Sequence, residues 1–271
     1  MSAASATLPR AAMERSFSHT LTIYVKETKY DFLKLLRLPT YSVSIILFPV
    51  MFYVLFGLLL NRGKEADGVS VAAYLMASYG TFGVMGASLF AFGVGVAGER
   101  GLGWLQLKRA TPMPPFAYFL AKTLVCMAFS FIIVLLLLTL GISFGGVHLA
   151  FAQAARLVAT LVVGAGVFCA MGLAIGYFAG PTSAAAVVNL TYLPLSFASG
   201  LWIPVDMLPS FLQRVAPFLP PYHLGRLALG TVGVGGGGSW FEHWEALMGF
   251  AFICLGIARL GFQRDEGKSY G

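Results

Sequence analysis

Along this chain apolar residues gather in six long runs, at 40–60, 71–97, 116–142, 157–178, 184–202 and 240–260, separated by short polar or proline-rich breaks. About 20 helical residues cross a hydrocarbon core of about 30 Å. In lipid a helix alone satisfies all its backbone groups within one segment. The pattern therefore predicts six transmembrane helices. Ahead of them, residues 17–38 are amphipathic. Phe17, Leu21, Tyr24, Phe32, Leu35 and Leu36 alternate there with Lys26, Glu27, Lys29, Lys34 and Arg37. A solvated helix is one reading; a helix lying in the membrane interface, basic side toward lipid phosphates, is favoured because Pro39 ends it directly at the first span.

The region 203–229 is also apolar but holds Pro204, Pro209, Pro217, Pro220 and Pro221, with Asp206, Arg214 and Arg226 among them. Each proline removes a donor and interrupts a helix, and in hydrocarbon the freed groups need other partners. Two short helices, near 207–216 and 222–229, dipping into the outer leaflet and returning fit better than a seventh crossing. Residues 217–221 would form the bend between them. Six glycines between 230 and 238 give slack before the last run. The expected fold is thus an all-α membrane protein: six transmembrane helices, an N-terminal interfacial amphipathic helix, and a re-entrant outer segment between the fifth and sixth spans. The expected divisions are a loose Ala- and Ser-rich tail at 1–16, the interfacial helix at 17–38, the six-span domain at 39–262 and a tail at 263–271.

Composition agrees with the pattern. Of 271 residues 58% are hydrophobic and 11% charged, with a mean hydropathy of +0.81, the range of integral membrane proteins. The formal charge of +7 does not indicate nucleic acid, because the basic residues flank the spans. With the N-terminus in the cytoplasm, thirteen of the 18 Lys and Arg fall inside, leaving Arg62, Lys64, Arg156, Arg214 and Arg226 outside. That asymmetry predicts cytoplasmic N- and C-termini in the cell (inner) membrane. Trp240 and Trp244 would anchor the outer end of the last span. Cys126, Cys169 and Cys254 lie in apolar runs, which speaks against disulfides and zinc. The first 39 residues lack the short apolar core of a cleavable signal.

Candidate chemistry is sparse. Asn189 and Tyr192 lie on the fifth run, and Pro194 is expected to kink it. Phe48, Phe52 and Phe56 form a helical stripe on the first run, read as lipid-facing or core more readily than as a substrate wall. Gly172, Gly176 and Gly180 repeat every four residues on the fourth and permit close helix approach, more often within one subunit than between two. The span centres hold no Asp, Glu or His for a proton relay. No catalytic constellation points to proteolysis or lipid hydrolysis. Gly267-Lys268-Ser269 fails as a phosphate-binding loop because position 262 is Phe262 rather than glycine. The charged island is 99–115, running Glu99-Arg100-Gly101-Leu102-Gly103-Trp104-Leu105 to Lys108-Arg109, then Pro112, Pro114 and Pro115. About two helical turns closed by prolines, between two spans, make a handle for a soluble partner.

Three features together resemble the permease subunit of type-2 ABC exporters, which move drugs, polysaccharides and lipid-linked glycans out of bacteria. The first is Glu99-Arg100 followed by Gly103, Leu105 and Thr111-Pro112, similar to the family's coupling loop between the second and third spans, although Gly101 and Trp104 stand where the family often has an acidic residue and a Thr. The second is Ser199-Gly200-Leu201-Trp202-Ile203-Pro204, then Leu208-Pro209 and Pro220-Pro221, similar to its signature after the fifth span. The third is the amphipathic helix before the first span. The resemblance implies ATPase coupling through Glu99, Arg100, Gly103, Leu105, Lys108 and Arg109. It implies a path for a hydrophobic or amphipathic substrate along Phe52, Phe56, Phe82, Asn189 and Tyr192, and an outer gate at Pro204, Pro209, Pro220 and Pro221. Expected partners are two copies of an ABC ATPase subunit, which would bind ATP and Mg, a second copy of this chain or a homologous permease, and membrane lipid. No cofactor or metal site is expected in this chain, nor an enzymatic activity of its own. The competing readings are a secondary transporter and a non-transporting scaffold or intramembrane enzyme.

Overall fold

The computed structural model describes residues 17–61, 63–66, 69–110, 115–234 and 238–267, which excludes the expected tail at 1–16, Pro112, Pro114, and the side chains of Lys108 and Arg109. Helix α1 (Phe17–Leu36) precedes α2 (Pro39–Phe52), which continues as a π-helical stretch at Tyr53–Leu59. Leu38 is extended and Pro39 opens α2, where its missing donor costs nothing. A hairpin of two-residue strands, β1 (Glu65–Ala66) and β2 (Val69–Ser70), pairs Glu65 with Ser70 and Ala66 with Val69. Helix α3 (Val71–Leu89) then runs through a π-helical segment, Phe90–Val94, into α4 (Gly95–Gly101). After a turn come α5 (Trp104–Ala110), α6 (Pro115–Phe144), α7 (Phe151–Phe178), α8 (Ala184–Ala198), α9 (Ser210–Val215), α10 (Pro220–Thr231) and α11 (Trp240–Gly267).

Five helices among the described residues are long and apolar enough to cross a membrane: Pro39–Leu59, Val71–Gly101, Phe116–Phe144, Phe151–Phe178 and Trp240–Arg264. Each matches an apolar run of the sequence. The remaining run yields α8, only 15 residues long, or about 22 Å at 1.5 Å per residue. It stops at Ala198 rather than Trp202 because Gly200 turns the chain at φ +78°, a conformation open chiefly to glycine. Residues 203–229 form short helices at the expected places, with Leu219 extended between them.

The Val71–Gly101 helix is the axis of the fold. Its apolar window is 83% buried, against 17% for Trp240–Arg264. Small residues let neighbours approach it: a Cβ on Gly172 would lie 2.9 Å from Phe92 Cβ, and one on Gly176 would lie 2.8 Å from the Phe92 carbonyl. Those two glycines therefore serve packing within the subunit. Gly180 is exposed and outside that contact. Helix α10 tucks in at the other end of this axis, where Leu224 seats directly against Gly164 of α7.

Candidate functional site

The loop after α4 is built around a buried carboxylate. Glu99 is 7% exposed, a cost that requires paired cations, and two other helices supply them. Lys34 of α1 donates to Oε1 at 2.7 Å. Lys122, seven residues into the Phe116–Phe144 helix and 1% exposed, donates to the same oxygen at 3.3 Å. The Tyr118 hydroxyl donates to Oε2. Asp31 of α1 completes the group with an ion pair to Lys122 at 3.5 Å. Two carboxylates and two ammonium groups from α1, α4 and α6 thus balance in one cluster. Next to it Arg100 donates to the Gly176 carbonyl at 2.7 Å and lies 5.5 Å from the Tyr177 ring centroid.

These contacts hold the start of α5. Gly101 packs on the α7–α8 connection, where a Cβ would come within 2.4 Å of Pro181 Cγ. Gly103, at φ +72°, makes the turn into α5. Leu105 packs toward the core. Leu102, Trp104 and Leu107 remain outside, at 74%, 52% and 66% exposure, with the Lys34 ammonium 5.9 Å from the Trp104 ring.

Of the residues expected to meet an ATPase, Glu99, Arg100 and Leu105 therefore face inward and position the loop. The apolar groups that remain exposed here are Leu102, Trp104 and Leu107. Lys122, Tyr118 and Asp31 were not expected at this site from sequence, and Lys34 was read only as part of the basic side of the amphipathic segment. Their signal was a lone lysine inside an apolar run with a tyrosine four residues before it, on one helical face.

The aromatic residues expected along a substrate path do meet. Phe52 lies between Phe56 and Trp202, with ring centroids at 5.8 and 5.2 Å. Phe82 stacks on Tyr192 at 4.6 Å, and the Tyr192 hydroxyl donates to the Phe82 carbonyl at 3.1 Å. Phe82 and Tyr192 are buried inside the subunit, so they back this wall rather than face it. Asn189 stands apart, exposed on α8 and donating to the Ala185 carbonyl. Exposed Leu190, Leu193 and Phe197 share that helix with it.

Of the expected gate prolines, Pro220 and Pro221 are buried and open α10, and exposed Pro209 precedes α9. Half-buried Pro204 leads into a 3-10 turn at Val205–Met207. Gln213 staples this segment by donating to the Asp206 and Leu208 carbonyls. Sequence reading missed a histidine pair that ties α10 to α11. His223 Nε2 lies 2.9 Å from the Pro217 carbonyl, which can only accept, so that nitrogen carries the proton. His223 Nδ1 is then the acceptor, and His243 Nδ1–H donates to it at 2.9 Å.

The sequence profile of the family described as "ABC-2 type transporter" matches residues 27–232, which takes in the second half of α1, the buried ion cluster, α5 and α10. The chain belongs to that family. A Bacillus subtilis (strain 168) protein named "Putative transport permease YvfS" is similar to it, 29% identical over 224 residues, covering 81% of this chain and 89% of that relative. This chain is thus a multi-pass membrane subunit of a transporter, and ABC-2 permeases generally pair with an ABC ATPase subunit. Among the described residues no group of three or more His, Cys, Asp or Glu is placed to hold a metal ion.

Proposed function

We propose that this chain is the transmembrane half of an ATP-driven exporter, acting as a dimer with two ATPase subunits docked on α5. The observation that carries the reading is the placement of α5. A short helix with exposed Leu102, Trp104 and Leu107 around it is held by a buried ion cluster to α1, α4 and α6. Exposed apolar groups on a rigid mount mark a docking surface. A displacement there passes directly to three helices, because the ion cluster would have to be broken for them to move separately. Closure of the ATPase pair on ATP binding would push α5, tilt these helices and open a path between the two copies.

In this reading α8 is the sixth crossing, its short helix completed by the turn at 199–204. Helix α1 lies along the inner interface, the termini are cytoplasmic, and the 205–231 segment is re-entrant and closes the outer end. The path runs where α2 and α8 present Phe48, Met51, Leu190 and Phe197. A wall of that kind suits a hydrophobic or amphipathic cargo such as a drug, a lipid or a lipid-linked glycan. The membrane domain at 39–262 is the transport unit, and ATP and Mg are bound by the partner. Leu107→Asp should leave the protein in the membrane but lose ATPase co-purification and export. Retention of both would overturn the reading.

A further inference from the structure

Helix α1 forms an apolar groove with α6, about 620 Å³ in volume. Phe32 and Val125 line it together with Leu21, Val25, Leu120 and Leu124, and the last four are 53%, 59%, 47% and 41% exposed. Lys29 is the charged residue of the lining, and it and Lys26 are both exposed on α1. The one hydroxyl contributed by a threonine, that of Thr28, is already committed to the Tyr24 carbonyl at 2.8 Å. The groove therefore offers an apolar slot with a cation at its edge. Its α6 side belongs to the first turns of a membrane-length helix, so the slot enters the hydrocarbon while Lys29 stays with α1 at its boundary. A molecule complementary to both has an acyl chain and an anionic head.

We propose that this groove is a binding site for an anionic glycerophospholipid, one acyl chain lying between α1 and α6 and the phosphate meeting Lys29. The proposal rests on the reading that α1 lies in the membrane interface. Asp31 and Lys34 of the same helix pair with Lys122 and Glu99. Lipid and ion cluster would thus both hold α1, and occupancy of the groove would bias the position of the loop that carries α5.

The test is thermal melting of the purified full chain in mild detergent, titrated with dioleoyl phosphatidylglycerol or dioleoyl phosphatidylcholine. The phosphatidylglycerol should reach half-effect at a concentration about fivefold or more lower, as one well-placed cation implies. Lys29→Glu should erase that preference. Leu124→Trp, which fills the slot, should weaken the response to both lipids, while Lys29→Gln, a change at an exposed rim position, should lose the preference alone. Equal response to the two lipids in the unsubstituted chain, or a preference that survives Lys29→Glu, overturns the proposal. So does a dimer that Leu124→Trp converts to monomer regardless of lipid, since a second copy would then be the occupant. A nitroxide at Tyr30→Cys reads the depth of α1 separately. A label at headgroup depth without lipid preference removes the groove proposal alone; a label in bulk water removes the interface reading as well.

Discussion

Lys122 is the residue on which the α5 end of the molecule depends. It is the one buried lysine among the described residues, and two carboxylates from different helices meet its ammonium. Removing one member of such a group leaves an uncompensated buried charge, at a cost of about 3–5 kcal/mol. Lys122→Met should therefore lower stability by about that much, and Tyr118→Phe, which removes one neutral donor to a carboxylate, by less, about 1.5–3 kcal/mol, both read by chemical or thermal unfolding. A double-mutant cycle between Lys122→Met and Glu99→Gln should give strongly non-additive losses. Additive losses would mean that the two side chains do not interact. Gly101→Ala should be damaging despite its small size, because the new methyl meets Pro181 in the α7–α8 connection rather than a flexible chain end. From sequence Glu99 and Lys122 read as two cytoplasmic charges. Nothing in their spacing across 23 positions shows that α1 and α6 bring a cation each to one carboxylate.

Helices were legible wherever burial in lipid sets the pattern. The long apolar runs each became a helix, and the prolines of 203–229 broke that segment close to where their chemistry says they must. Less legible was where α8 ends, since hydrophobicity continues through Trp202 while Gly200 turns the backbone. The inward direction of Leu105 was hidden too, because a seven-residue helix has too few turns to show a face. The α10–α11 contact also depended on tertiary structure. Burial, and then the neighbouring His243, push the His223 imidazole below its usual value, and its hydrogen bond to the Pro217 carbonyl offsets part of this. Tyr222 and Arg226 on α10, Glu242 on α11, Tyr74 on α3 and Asp206 before α9 are further titratable groups of this region, with Glu242 accepting from the Ser239 backbone N–H. A histidine with a lowered folded value binds fewer protons than the unfolded chain, so its stabilising contribution is complete above about pH 6.5 and is lost as pH falls from there through the folded value. Protonation at Nδ1 would also set two donors against each other in the histidine pair. Thermal stability should thus decline below about pH 6.5, and His223→Gln should flatten that slope. An unchanged slope in the variant would locate the titration elsewhere.

At the scale of the whole molecule the topology can be tested from outside the cell. If α8 crosses and the 205–231 segment returns to the side it left, an impermeant thiol reagent on intact cells should label Ser239→Cys and spare Gln263→Cys, in a background with Cys126, Cys169 and Cys254 replaced. Labelling of Gln263→Cys would require an odd number of crossings. The chain purified alone should hydrolyse no ATP above background, and hydrolysis by a clean preparation would remove the division of labour with a partner. The central claim is that the apolar face beside the ion cluster docks an ATPase, and the most direct measurement is a photo-crosslinking amino acid at Leu107 in membranes of the native host. The account predicts an adduct whose peptides include a phosphate-binding loop of the form Gly-x-x-x-x-Gly-Lys-Ser/Thr. An adduct formed only with lipid or with a second copy of this chain would contradict it.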